Sequence, residues 1–299
     1  MPFAEVPESP RVPHRYAETR AETVIVTTPH FGRVATHVRI HGAGPPLLLV
    51  HGFMTTSYSW RYVLDLLGAH FTLYIPDLVG CGASEKPDVA YTPDALASYI
   101  VALVDALGIR GSAVIGNSMG GYLCMKAALA DPSAFSRLVN LHSPGIPTAR
   151  MRALRVALAV IPGWQSVLSW MVRRDPERWV HRNVHYFDET LKSREEHRAY
   201  ATPLATPEGL NAFARYLDEA LDVREMARFE KALAAHGPFP IPLLLLYARR
   251  DPMVPPVVGE RLKALVPNAE FAWLEDASHF AHVDAAARFV TAITPFLSR

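Results

Sequence analysis

The sequence predicts an α/β protein: a mostly parallel central sheet with helices on both faces and a helical cap inserted late in the chain. Three observations predict it. Strand and helix signals alternate from about residue 21 to 142, the pattern of a parallel sheet covered on both sides. Several strand signals are short all-apolar runs, such as Leu47-Leu48-Leu49-Val50, of the kind buried on both faces. Strand signals then vanish over 143–239 and resume over 240–299, so the cap falls between two parts of one core.

Each element has its own signal. Residues 23–27 and 34–40 read as strands joined through 29–33, a hairpin at the sheet edge. After the strand at 47–50, residues 60–67 read as a helix and 71–75 as the next strand. Thr92 is placed to cap a helix with Pro93 at its first position. Leu96, Ile100, Leu103 and Leu107 keep helical spacing, and Gly108 stops the run. Residues 113–115 and 138–141 are further buried strands, separated by a helix over 119–130. The cap reads as helices broken by Pro162, Pro176, Pro203 and Pro207. Residues 243–247 and 270–274 resume the sheet, and 285–296 close the chain as a helix. A cap over the strands' C-terminal edge roofs the place where open α/β sheets bind ligands.

Composition narrows the function. With 30 Lys+Arg against 29 Asp+Glu the net charge is +1, so no basic field exists to hold nucleic acid. Two cysteines exclude a disulfide scaffold, and Cys81 and Cys124 lack metal-ligand spacing. No nucleotide loop, metal cluster or cofactor box is present, so the expectation is no cofactor and no metal. The N-terminus carries acids and three prolines where a signal peptide needs an apolar stretch, which predicts a cytoplasmic protein. The apolar stretch 153–172 is interrupted by Arg155, Gln165 and Pro162-Gly163, so it reads as two helices and a turn rather than a membrane span. Oligomeric state is not legible.

Gly116-Asn117-Ser118-Met119-Gly120-Gly121 follows a buried strand and opens a helix, the context of a nucleophile elbow. A sharp turn at Ser118 requires nearly side-chain-free residues two before and two after. A serine hydroxyl is a poor nucleophile near neutral pH and needs a base, which needs an orienting acid. Asp251 follows the strand at 243–247, and His279 follows the strand at 270–274. The rivals are His282 as base and Asp276 as acid. Asp276 shares a loop with His279, whereas a triad acid normally reaches the imidazole from a different strand. Two N–H groups must meet the oxyanion: Met119 after the nucleophile, and Phe53 in His51-Gly52-Phe53 after an earlier strand. The His51 side chain is expected to support that loop.

These residues, together with the run from Pro76 to Pro87 (Pro-Asp-Leu-Val-Gly-Cys-Gly-Ala-Ser-Glu-Lys-Pro), resemble the α/β-hydrolase superfamily over about residues 21–299. The run looks most like the branch of haloalkane dehalogenases, epoxide hydrolases and related esterases. The first two carry aspartate at the nucleophile, and Ser118 argues against both chemistries. Gly-Asn-Ser-Met-Gly-Gly also resembles hydrolases that cleave carbon–carbon bonds of ring-fission products. Those carry a glycine-rich oxyanion loop, which departs from Phe53-Met54-Thr55-Thr56 here. Ser278 replaces a glycine common before the catalytic histidine.

The resemblance implies a serine hydrolase of small-to-medium apolar carboxylic esters or lactones, with Ser118, Asp251 and His279 as triad. The alternatives are a carbon–carbon hydrolase, which needs a cationic pocket for its substrate's acid, and a ligand receptor or regulator with slow turnover. A pocket-facing arginine in the cap favours the former; otherwise the arginines at 150, 152, 155, 173, 174 and 178 read as a solvated face. The substrate pocket is expected between cap and core, with Trp164, Trp170 and Trp179 narrowing it.

Overall fold

Period-two alternation explains why the all-apolar runs become the middle of a sheet. The computed structural model describes the backbone of residues 1–299 and all side chains except those of 158 and 159. Its strands are β1 (Arg20–Thr28), β2 (Gly32–His41), β3 (Pro46–Val50), β4 (Thr72–Pro76), β5 (Ser112–Asn117), β6 (Phe135–Leu141), β7 (Leu243–Ala248) and β8 (Glu270–Leu274). They form one sheet in the order β1-β2-β4-β3-β5-β6-β7-β8. The β1–β2 hairpin is antiparallel and joins β4 antiparallel at the edge; the other pairs are parallel. In β3, Leu48 and Val50 enter the apolar cluster on one face, while Leu47 and Leu49 enter that on the other. In β7, Leu243 and Leu245 face the first cluster, and Leu244 and Leu246 the second. No position in these runs meets water, so none needs to be polar.

The helices of the first part are α1 (Leu64–Gly68), α2 (Pro93–Ala106) and α3 (Met119–Ala130). Between β6 and β7 lie α4 (Ala149–Ala159), α5 (Trp164–Arg174), α6 (Pro176–Asn183), α7 (Arg194–Leu204), α8 (Pro207–Arg215) and α9 (Val223–His236). The last part adds α10 (Pro256–Leu265), α11 (Ala281–Asp284) and α12 (Ala286–Leu297). Thr92 caps α2 by accepting the Ala95 N–H, and Gly108 ends it at φ +67°.

Four expectations need correction. The segment 60–67 is a 3₁₀ turn, Ser57–Trp60, followed by the shorter α1. Thr56 caps that turn, whereas no side chain caps α1. Pro176 and Pro207 do not break helices but begin them, behind Asp175 and Thr206 caps. Pro203 lies inside α7, one residue before its end, so the helix stops just after it rather than at it. Helix α10 was missed, although Pro256 stands at its first position as Pro93 does in α2.

The inserted helices have their own apolar cluster, which includes Val180, Tyr200, Leu210 and Phe213 and meets Tyr58 and Phe280 of the core. A fully buried ion pair, Arg61 to Glu196 of α7, crosses between them. The Arg61 guanidinium stacks over Tyr58 and Tyr62 at 4.7 and 4.3 Å. Among the described residues, no helix is long and apolar enough to cross a membrane.

Candidate active site

Ser118 joins β5 to α3 at φ +53° and ψ −122°, a conformation that L residues rarely adopt. Its glycine neighbours make the turn possible. A Cβ on Gly116 would lie 2.6 Å from the Gly121 backbone, and one on Gly120 2.5 Å from the carbonyl oxygens of Val50 and His51. The loop after β3 passes just as closely, since a Cβ on Gly52 would sit 3.1 Å from that of Ser118.

Asp251, beyond β7, and His279, beyond β8, are buried and joined by a hydrogen bond of 2.7 Å from His279 Nδ1 to Asp251 Oδ2. The other carboxylate oxygen accepts the backbone N–H groups of Met253 and Val254 at 2.7 and 2.8 Å. Burial pushes the Asp251 carboxyl up, but the His279 ring and these hydrogen bonds outweigh it and hold the pKa below its usual value. Asp251 is therefore an ionised, fixed acceptor that leaves Nε2 of His279 as the free nitrogen. Ser118 and His279 line one cavity of about 330 Å³. The arrangement can take a proton from a serine hydroxyl and steady the imidazolium that forms.

The rivals stand elsewhere. The Asp276 side chain is exposed, with Arg250 and Arg288 each 3.9 Å away. His282 is buried in α11, its ring 4.4 Å from that of Trp60, and belongs neither to the cavity nor to the closing helix. Phe53 lines the cavity beside Ser118, and Met119 opens α3, whose N-terminal end favours negative charge. His51 supports the loop as expected: Nδ1 bonds the Gly52 carbonyl at 2.8 Å, and Nε2 accepts the Leu78 N–H at 3.0 Å. Asp77 ties the same region together, accepting N–H groups of Ser57 and Ala83 at 2.8 Å each.

None of the three tryptophans lines the cavity. Trp170 is exposed on α5, and Trp164 is only half-buried. Trp179 stands edge-on to Phe213, which stacks on Phe53, so it touches the site only through a second ring. Size and apolarity said nothing of which way these side chains point. The walls come instead from Ile146, Met151, Leu154, Leu217, Leu221 and Val258. Two cap arginines also reach the cavity. Arg155 is bound to Asp218 and Asp222, whereas Arg150 donates to the Pro252 carbonyl at 3.0 Å.

Sequence reasoning missed His142, the residue immediately after β6 and so at the same sheet edge as the others. That position was the available signal. Its Nδ1 bonds the backbone carbonyl of His279 at 3.0 Å, and its ring centroid lies 5.7 Å from that of His279. Among the described residues, ligand atoms of His142, Asp251 and His279 come within 4.8 Å of one another. The Asp251–His279 hydrogen bond occupies two of them, so the group reads as a hydrogen-bonded one rather than a metal centre.

Burial pushes the His142 pKa down from 6.5 to about 4. Between those values the unfolded chain takes up a proton at this position and the folded chain does not. Stability is therefore lost as pH falls through this window, by about 3 kcal/mol. Urea unfolding from pH 7 to pH 4 should show a shallower fall for His142→Gln than for wild type. Equal slopes would mean that His142 is not the buried neutral group.

With the geometry in place, three comparisons bear on it. A family model described as alpha/beta hydrolase fold matches residues 45–286. The chain is 25% identical over 281 residues to 2-hydroxymuconate semialdehyde hydrolase of Pseudomonas sp. (strain CF600), covering 91% of this chain and 95% of that one. It is 27% identical over 238 residues to an uncharacterized hydrolase, YugF, of Bacillus subtilis (strain 168), covering 78% and 82%. A thermophilic esterase from Thermogutta terrifontis superposes with a TM-score of 0.72 at 23% identity, covering 93% of this chain and 98% of that one, a likeness of fold. The chain belongs to the α/β-hydrolase fold family.

Proposed function

We propose that the chain is a serine hydrolase of carboxylic esters or lactones with a small-to-medium apolar part. The observation that supports this best is the 2.7 Å His279–Asp251 hydrogen bond, made where His279 shares a cavity with Ser118 on its strained turn. Nε2 of His279 takes the Ser118 proton as Oγ bonds to the ester carbon. The backbone N–H groups of Met119 and Phe53 receive the oxyanion. The imidazolium then returns its proton to the departing alkoxide, leaving an acyl-serine that water hydrolyses by the same steps in reverse roles. The apolar walls account for an apolar substrate.

One observation favours a second reading, hydrolysis of a carbon–carbon bond in an acid-bearing substrate. Arg150 reaches the cavity with a backbone carbonyl as its hydrogen-bond partner, and the Pseudomonas relative bears the name of a semialdehyde hydrolase. A p-nitrophenyl ester chain-length series on wild type, Ser118→Ala and Arg150→Ala separates the two. Ester turnover lost in Ser118→Ala and kept in Arg150→Ala supports the first reading. Negligible ester turnover, with Arg150-dependent cleavage of a vinylogous diketone acid, supports the second.

The walls also predict selectivity. Leu217→Ala should shift the ester optimum to longer chains, by about 10- to 200-fold in kcat/KM per methylene accommodated. An unshifted profile with a lowered melting temperature would mean that Leu217 only packs the cap.

A further inference from the structure

The α4–α5 hairpin is built unlike the rest of the surface. Seven of the fourteen large apolar side chains that stand exposed among the described residues fall within residues 154–171. Val160 is 72% exposed, Val156 66% and Trp170 61%. On α5, Val167, Trp170 and Met171 recur at i, i+3 and i+4 on an outer face, while Val172 turns inward and is buried. This is an apolar stripe with nothing packed on it, at the edge of a chain that has a complete core elsewhere.

The charge around the stripe is predominantly basic. Residues 149–174 contain five arginines (150, 152, 155, 173 and 174) and no acidic residue. Asp175, which shares a surface groove with Trp170, Met171 and Arg174, is paired with Arg178, and Arg182 adds a further cation there. Arg155 is paired with Asp218 and Asp222, whereas Arg174 lies over the Trp170 ring at 5.6 Å. A helix pair with apolar residues between basic ones, too short and interrupted to span, has the make-up of one that lies in a lipid interface. A second copy of the chain fits less well, because a two-fold contact would set this arginine-rich face against itself. The hairpin is also continuous with the cavity. Leu154 is half-exposed and lines it, and Met253, which also lines it, is exposed beside it.

We propose that the α4–α5 hairpin docks the protein on an anionic lipid surface, with Val160, Ile161 and Trp170 in the interface and the arginines at its headgroups. Docking would set the mouth of the cavity against the lipid. It does not depend on the chemistry proposed for Ser118, so Ser118→Ala should bind as wild type does.

The test is sedimentation with vesicles of phosphatidylcholine, alone or with one-third phosphatidylglycerol, using the full chain. Wild type should bind the anionic vesicles, and high salt should weaken the binding. Arg173→Ala/Arg174→Ala should bind about 25-fold more weakly, because each basic residue near such a surface contributes about fivefold. Ile161→Ser/Trp170→Ser should lose binding while hydrolysing a soluble ester as wild type does, with an unchanged circular dichroism spectrum. No binding by folded wild type, equal binding to neutral vesicles, or binding unaltered in both variants would overturn the proposal. So would a concentration-dependent dimer, abolished by Ile161→Ser/Trp170→Ser, in a protein that ignores vesicles.

Discussion

Asp251→Asn should leave the protein folded and cut kcat by about 10³- to 10⁴-fold. The geometry says why. Oδ1 of Asp251 is held by two backbone N–H groups and Oδ2 by the His279 ring. An asparagine keeps its carbonyl toward the two backbone donors and turns its NH₂ to Nδ1. The ring then carries its proton on Nε2, where the lone pair for Ser118 is needed. Steady-state kinetics beside a circular dichroism spectrum check this, with Asp276→Asn as the control expected to stay near wild type. Large loss in Asp276→Asn and little in Asp251→Asn would reassign the acid.

The second large effect concerns stability. Arg61→Met should destabilise the fold by about 3–5 kcal/mol, since it leaves Glu196 buried without its counter-ion. Burial already pushes the Glu196 carboxyl up. The pair is also incompletely satisfied, as Arg61 Nε and Glu196 Oε1 have no partner. Replacing both by methionine should therefore recover most of the loss, because an apolar pair of similar volume suits a dry site. Urea denaturation of the two single variants and the double variant gives the coupling directly. A double variant whose loss equals the sum of the two single losses would show that the charges act independently.

Much of this architecture was legible because burial on both faces leaves an unmistakable mark. The leucine runs that became β3 and β7 have no polar position, and the glycines two before and two after Ser118 are demanded by backbone atoms 2.5 to 2.6 Å from where a Cβ would be. That Asp251 and His279 meet was legible because both follow strands, which places them at one sheet edge. Direction was not legible. Trp170 and Val172 are equally apolar, yet one faces solvent and the other the cap interior, and only packing decides between them. His142 was hidden among 13 histidines, since its role depends on where the loop after β8 lands. Pro203 marks the end of α7 only to within a residue, because the bond it removes lies in the turn before it and leaves Leu204 free to stay helical.

The central claim is that Ser118 is activated by His279, and reaction with a fluorophosphonate probe tests it most directly. Only a base-activated serine attacks such phosphorus centres readily. Peptide mass spectrometry of the labelled, folded protein should place one adduct on Ser118, with labelling abolished in Ser118→Ala and strongly slowed in Asp251→Asn. An adduct on another residue, or none on folded wild type, would contradict the account.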